Sequence, residues 1–327
     1  MSNPYRIEGP ALISFSMGRT SARLLWEILN AHDGSLPADV HVVCLNTGDE
    51  DEKSLRFYHE CMTRWGALIH LVEFRDNEAG YEVVGLNSAS RSGEPFDALI
   101  ARKRTETSPL GYVPNRGAPY CSTELKARTA RDWARGELGW TSGWKVVLGL
   151  RYDEKDRVDG AHNRNKSGKD PWVNVTPLYD AKVVTRGVNR FWFGKDRIDL
   201  TIPQHLLPQG FDLGLWGFEG NCVFCWKKSL AKRRRLIRLA LDRGDTAQLQ
   251  RWIARERRTG TTFDLKWSME EICRSVLEEP DFLDLMGELP EDDEGEECGF
   301  TCALPDAAII ERGSGIALNR GCGRRAA

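Results

Sequence analysis

The segment Gly9-Pro10-Ala11-Leu12-Ile13-Ser14-Phe15-Ser16-Met17-Gly18-Arg19-Thr20-Ser21 decides the fold. Its apolar run ends in small residues, the mark of a buried strand entering a tight turn. Residues 21–30 then follow with helical spacing. A second strand, Val40-His41-Val42-Val43-Cys44-Leu45, ends at Asn46-Thr47-Gly48-Asp49-Glu50, ahead of an amphipathic helix over 54–65. Residues 67–74 form a third strand. Strand, helix, strand, helix, strand predicts an α/β fold with an open, mostly parallel, doubly wound sheet and right-handed crossovers. Such sheets bind ligands beyond the carboxyl ends of their strands, where the loops 16–21 and 46–50 both fall.

Downstream, residues 76–120 are rich in Gly, Pro, Ser, Asn and Arg with little periodicity, and are expected to form a long loop or lid. A helix over 122–137 and a strand over 145–150 follow. The pattern weakens after Pro177-Leu178 until Gly220-Asn221-Cys222, and two helices are expected within 229–258, split near Gly244. The acidic stretch 287–297 reads as a solvated linker. The expected organisation is a nucleotide-binding domain over 1–180, a smaller, mainly helical, cysteine-containing domain over 181–302, and a flexible tail over 303–327.

The 46 basic and 48 acidic residues give a net charge of -2, so no global field draws the chain onto nucleic acid or an anionic membrane. Any such partner requires a local patch. No stretch approaches the ~20 apolar residues of a membrane span, and Met1-Ser2-Asn3-Pro4-Tyr5-Arg6 lacks the apolar core of a signal peptide. A cytoplasmic protein without membrane contact is expected. Nine cysteines, an odd number, do not suggest a disulfide framework in that compartment, which leaves metal or thiol chemistry for the clustered ones.

A strand turning into a helix over small residues aims free amides and a helix dipole at an anion. Ser16, Gly18, Thr20 and Ser21 are the small and hydroxyl residues such a loop needs, and Arg19 adds a fork suited to phosphate oxygens. An ordinary turn capped by Thr20 or Ser21 accounts for the spacing equally well. Asp49 and Glu50 are candidates either for magnesium or for capping the next helix.

Cys222-Val223-Phe224-Cys225 offers two thiolates to one metal, and Cys298-Gly299-Phe300-Thr301-Cys302 offers two more. Four thiolates suit a structural zinc or an iron–sulfur cluster. The alternatives are buried small hydrophobes for the first pair and free thiols for the second. Cys121, at a helix start where the dipole favours a thiolate, is a candidate nucleophile or ligand. The basic segment from Lys227 to Arg238, beside Trp226, is either a guide for a nucleic-acid backbone or a solvated helix face.

Four blocks in order resemble the PAPS-reductase-like (phosphoadenosine phosphosulfate reductase family) adenine-nucleotide alpha hydrolases, or PP-loop ATP pyrophosphatases. The PP-loop corresponds to Ser16-Met17-Gly18-Arg19-Thr20-Ser21, where Met17 replaces the usual glycine. The second block corresponds to Asn46-Thr47-Gly48-Asp49-Glu50, the third to Cys121-Ser122-Thr123-Glu124-Leu125-Lys126, and the fourth to Gly149-Leu150-Arg151-Tyr152-Asp153-Glu154. The resemblance implies that residues 16–21 hold the phosphates of ATP or PAPS and that Asn46, Thr47 and Gly48 lie beside the nucleotide. Lys126 and Arg151 would neutralise the transferred or released anion, with Mg2+ accompanying ATP. Phage and bacterial members related to the DNA phosphorothioation sulfurtransferases carry a similar Gly-Asn-Cys-x-x-Cys block, basic helix and closing cysteine pair. That likeness implies a four-iron four-sulfur cluster on Cys222, Cys225, Cys298 and Cys302, with zinc as the alternative.

The function expected from these features is ATP-dependent adenylylation with pyrophosphate release, followed by cluster-assisted sulfur transfer of nucleic-acid thiolation type. A sulfur-donor protein and a homodimer are the remaining partners that scheme admits. Reduction of PAPS is the alternative, and the tail Glu297-Cys298-Gly299-Phe300-Thr301 matches that group only partly. A non-catalytic nucleotide sensor or phage-defence component is the third reading, suggested by Met17.

Overall fold

The computed structural model describes residues 3–193 and 220–279. The first strand, β1 (Ala11–Phe15), is buried at every position because helices cover both faces of the sheet, which explains its unbroken apolar run. It is followed by α1 (Arg19–Ala31), β2 (Val40–Asn46), α2 (Glu52–Trp65) and β3 (Ile69–Phe74). Asp51 caps α2 by accepting a hydrogen bond from the Lys53 amide, and Gly66 ends it at φ 60°. The expected first helix begins two residues earlier, at Arg19, because Gly18 already supplies the extended N-cap backbone.

Residues 76–120 are more ordered than their composition predicts. They contain an antiparallel edge strand, β4 (Tyr81–Val84), and a helix, α3 (Glu94–Arg102), with Pro95 in its first turn. Both are too short to carry a full period against the surrounding Gly, Ser and Arg. The expected helix over 122–137 is a composite: α4 (Tyr120–Ser122), a π-helical stretch (Thr123–Arg128) and α5 (Thr129–Leu138), ended by Gly139 at φ 68°. Next come β5 (Trp144–Val147), α6 (Lys155–Ser167), β6 (Trp172–Val175), α7 (Pro177–Asp180) and α8 (Thr185–Phe193). The two helices expected within 229–258 are α9 (Leu230–Arg243) and α10 (Ala247–Thr259), separated at Gly244, and a further helix, α11 (Met269–Glu278), starts at a Ser268/Glu271 capping box.

The six strands form one α/β sheet in the order β4-β3-β2-β1-β5-β6, with β1, β2, β3, β5 and β6 parallel and β4 antiparallel to β3. Alternate side chains of β1 separate the two layers. Ala11, Ile13 and Phe15 pack with α1, α2 and α8, whereas Leu12 packs with Trp133 of α5 and Val158 of α6. Helices therefore pass to one face on the β2 side of β1 and to the other on the β5 side. The chain reverses its direction of winding between β1 and β5, where a parallel sheet opens a crevice at its carboxyl ends.

A third apolar cluster joins α9, α10 and α11 to Phe74, Phe96, Leu99, Ile100, Val113 and Leu125. The helical unit thus packs beside the carboxyl ends of β2 and β3 and leaves the β1/β5 end to the loops. Helix α8, beyond the expected boundary at 180, packs on α1, with the Trp26 and Phe191 rings 4.9 Å apart. Cys298, Cys302, the acidic stretch 287–297 and the expected tail 303–327 lie outside the described residues.

Two glycines within helices test this packing. A Cβ on Gly160 of α6 meets no atom within 4 Å, so Gly160→Ala should stabilise the protein by about 0.5–1 kcal/mol through reduced unfolded-chain entropy. A Cβ on Gly136 of α5 would collide with the Tyr81 hydroxyl and crowd its ring at 2.9 Å. Gly136→Ala is expected to lower the unfolding temperature while Gly160→Ala raises it, as measured by thermal denaturation.

Candidate functional site

The loop after β1 is closed from within. The amide and hydroxyl of Ser16 both donate to Ser21 Oγ at 3.0 Å, and the Ser21 hydroxyl donates to the Gly18 carbonyl at 3.0 Å. Met17 adopts φ 59°, the left-handed conformation that costs a non-glycine residue about 1 kcal/mol, and its side chain is buried in the core beneath the sheet. Burial of that side chain offsets the backbone strain and pins the turn. No side chain caps α1 at Gly18 and no acidic residue lies in its first turn, an arrangement that favours an anion at this helix start.

The loop after β5 reaches across the crevice. Arg151 is 5% exposed, and its Nη1 donates to Thr20 Oγ1 at 3.2 Å. Its amide donates to Glu154 Oε2 and its Nε to Asp153 Oδ1, each at 3.0 Å. One guanidinium thus pairs with Asp153 and Glu154 and also touches the first loop. Asp153 also accepts from the amide and hydroxyl of Thr185 at 2.6 and 2.7 Å, and Trp192 Nε1 donates to the Arg19 carbonyl at 2.8 Å. Helix α8 is thereby fastened at its start to the β5 loop and near its end to the β1 loop.

The loop 46–50 is buried and held on three sides. Asn46 Nδ2 donates to Glu73 Oε1 at 2.5 Å and to the Ser90 carbonyl at 2.9 Å, and Asn46 Oδ1 accepts from the Gly48 amide at 3.1 Å. Gly48 has φ 79°, and a Cβ there would sit 2.5 Å from Ser90 Oγ and 2.9 Å from Gly93 Cα, so glycine is required. Thr47 Oγ1 donates to Glu50 Oε1 at 3.2 Å and lies 3.2 Å from Cys222 Sγ. Lys126 Nζ stands 3.8 Å from Glu50 Oε1, with both side chains buried.

Lys126 is therefore not a helix-surface lysine. It projects from the π-helical stretch, a rare geometry that recurs at functional sites because the wider turn redirects side chains. Cys121, one turn earlier and partly exposed, sits against the helical unit's apolar cluster. Burial raises the Glu50 carboxyl above its ordinary value despite the Lys126 charge and the Thr47 bond. Burial likewise raises the Cys222 thiol well above the usual range, with Glu50 adding to the effect, so this thiol is protonated at neutral pH in the form described.

The acidic pair and much of the basic segment have partners within the protein. Asp49 is engaged by Arg255, whose Nη1 donates to Asp49 Oδ2 at 2.6 Å, and Glu50 faces Lys126, so this pair does not fit a protein-held magnesium site. The basic segment is largely internal: Lys228, Lys232, Arg233, Arg234 and Trp226 are buried. Lys228 Nζ donates to the carbonyls of Gly220 and Val223 at 2.9 Å, and Arg234 donates to Ser275, so these residues brace the cysteine turn and α11 and offer little to a nucleic-acid backbone.

Cys222 and Cys225 are both buried in the turn that this lysine braces. Among the described residues no three His, Cys, Asp or Glu side chains come together as a metal site. Two thiols alone do not make the four-thiolate set of a cluster or a structural zinc, and Cys298 and Cys302 lie outside the described residues. Sequence reasoning passed over Glu73 and Arg255. An acid inside an apolar strand, Glu73 before Phe74, was the available signal for the first, and nothing marked the second among the many arginines of α9 and α10.

The chain is 27% identical over 227 residues to the uncharacterized nin region protein ORF290 of Escherichia phage lambda, an alignment covering 68% of this chain and 67% of the phage protein. No family model matches the chain, and no solved structure matches it.

Ser21→Ala removes the acceptor of two bonds and the donor of a third. It should destabilise the ligand-free protein by about 1 kcal/mol in denaturant titration, because the half-buried amide and hydroxyl of Ser16 lose their acceptor, while the Gly18 carbonyl keeps the Ala22 amide. Asp153 supplies a pH signature. Burial alone would raise its carboxyl, but the Thr185 amide and hydroxyl and the Arg151 charge bring it below the ordinary value. A depressed folded pKa contributes stability that is complete above the unfolded carboxylate pKa of about 4 and is lost as pH falls through the folded value. Asp153→Asn should flatten that acid limb in a stability-versus-pH series.

Proposed function

We propose that the protein binds ATP at the carboxyl end of β1 and transfers its adenylyl group to a substrate oxygen, releasing pyrophosphate. One observation carries this reading. Four segments far apart in the sequence, 16–21, 46–50, 121–126 and 149–154, lie toward the carboxyl ends of β1, β2 and β5 and are joined in two pairs, by the Arg151–Thr20 and the Lys126–Glu50 contacts. In this reading the uncapped start of α1 and Arg19 take the phosphates. The substrate oxygen attacks the α-phosphorus, and the bond to the bridging oxygen breaks. Pyrophosphate then leaves with magnesium, which is held chiefly by the phosphates themselves. In this reading the buried cations Lys126 and Arg151 would stabilise the charge that develops, where a water-poor setting strengthens their effect.

The onward step in this proposal is sulfur transfer: a donor protein supplies sulfide-level sulfur that attacks the substrate atom bearing the adenylylated oxygen, the bond from that atom to the oxygen breaks, and AMP leaves carrying the oxygen. No step is routed through a cluster, since the described residues supply only two of the four thiolates. The acceptor in this reading is nucleic acid, approaching by a surface other than the buried basic face of α9. The sensor alternative is disfavoured, because Met17 takes the backbone conformation that glycine adopts at low cost and leaves the loop intact.

Calorimetry with ATP and Mg2+, followed by a pyrophosphate-release assay, tests the proposal. Arg19→Ala should weaken ATP binding by about 1.5–3 kcal/mol, the range of a charge-assisted bond, with an unchanged fold. Wild-type affinity in that variant would refute the phosphate role. Iron and sulfide analysis of anaerobically purified protein tests the cysteines: about four irons per chain, abolished by Cys222→Ala, is the expected outcome for a cluster. One zinc and no iron would make the cysteines structural.

A further inference from the structure

We infer that Arg255 of α10 is a positioning residue for the loop 46–50, so that the helical unit α9–α11 completes the ligand site. The identity of the ligand rests on the nucleotide reading above; the positioning itself does not.

Arg255 is 2% exposed and uses every edge of its guanidinium. Nη1 donates to Asp49 Oδ2 at 2.6 Å, Nε and Nη2 donate to the two oxygens of Asp97 at 3.1 Å, and Nη2 also reaches the Gly93 carbonyl at 3.3 Å. The Phe96 ring lies 4.8 Å from the guanidinium carbon and the Trp252 ring 5.8 Å. Gly93 has φ 80°, and a Cβ at this position would collide with Nη2, so the backbone of the α3 N-cap is shaped around the guanidinium.

Asp49 is fully buried, and Asp49 Oδ1 has no hydrogen-bond partner. Its carboxylate thus depends on Arg255 for compensation of a buried charge, and withdrawing that guanidinium would drive the loop to rearrange rather than leave the carboxylate alone. The same peptide is gripped through its carbonyl, which accepts from the Val223 amide at 3.1 Å and from Gln248 Nε2 at 2.8 Å. Two contacts from α10 and one from the cysteine turn before α9 therefore converge on one residue between Gly48 and Glu50. On its other side, Glu50 faces Lys126, and Gly48 is tied to Asn46. A guanidinium fork can hold Asp49 and Asp97 together in one plane, whereas the ammonium of lysine cannot.

The experiment compares full-length Arg255→Lys, Asp49→Asn and the double variant with Glu256→Gln as a control. Glu256 is the neighbouring buried residue of α10 and accepts from the amides of Phe263 and Met269 at 2.9 and 2.7 Å, contacts confined to the helical unit. Hydrogen exchange of the peptide covering 46–50 is measured without ligand, and ATP affinity is measured by calorimetry. Arg255→Lys and Asp49→Asn should each speed exchange at 46–50 and weaken ATP binding about tenfold or more, and the double variant should be no worse than the poorer single one. Glu256→Gln should lower the unfolding temperature and leave both readouts at the wild-type level. Wild-type exchange at 46–50 in Arg255→Lys would overturn the inference. Fast exchange in that variant, together with a wild-type protein that binds no ATP, would overturn the nucleotide reading and leave the positioning role standing.

Discussion

The reversal of winding between β1 and β5 is the constraint on which the rest of this structure depends. A parallel sheet buries its strands on both faces and exposes only their ends, so chemistry-bearing residues can gather only where connections leave. On the β2 side the connections pass to one face, and on the β5 side to the other, which parts the loops at the carboxyl end of β1. Arg151 crosses that parting to Thr20, and α8 closes it from below through Asp153 and the Arg19 carbonyl.

Buried charge gives this end of the sheet its specificity. Asp49, Glu73, Lys126, Arg151, Glu154 and Arg255 are all nearly inaccessible, and each would cost several kcal/mol if left alone. Two of the pairs join distant segments, Asp49 with Arg255 and Glu50 with Lys126, while Glu73 with Arg75 and Glu154 with Arg151 are local. Such pairs contribute little net stability compared with apolar packing. They penalise misplacement strongly, however, and so fix the relative positions of loops that the apolar clusters alone would leave variable.

The parts of the fold legible in the sequence were those with a strong local period or a sharp terminator. The run Ala11–Phe15, the second apolar run over 40–45 and the glycine at 244 each announced their elements. The edge strand β4, the strand β6 and the helix α3 were not legible, since elements of four or nine residues with mixed polarity carry too little pattern. Of the candidate site, the loops 16–21, 46–50 and 149–154 could be placed, because strand ends are predictable. The direction of the basic side chains on α9 could not: Lys232 and Arg233 look like a solvated face in sequence and become interior only once Asp264 and α11 are folded against them.

The π-helical stretch between Tyr120 and Thr129 amounts to an extra residue accommodated inside a continuous helix. An α-helix advances about 100° per residue, so this insertion sets the rotational phase of everything before it relative to everything after it. Trp133 and Ala130, after the bulge, pack in the cluster of the sheet, while Cys121 before it and Leu125 within it pack in the cluster of the helical unit. Losing one residue from this stretch would swing the first turn by roughly a quarter of a circle, and the helix could no longer serve both layers at once. The bulge acts as a phase shifter that lets one helix belong to two cores.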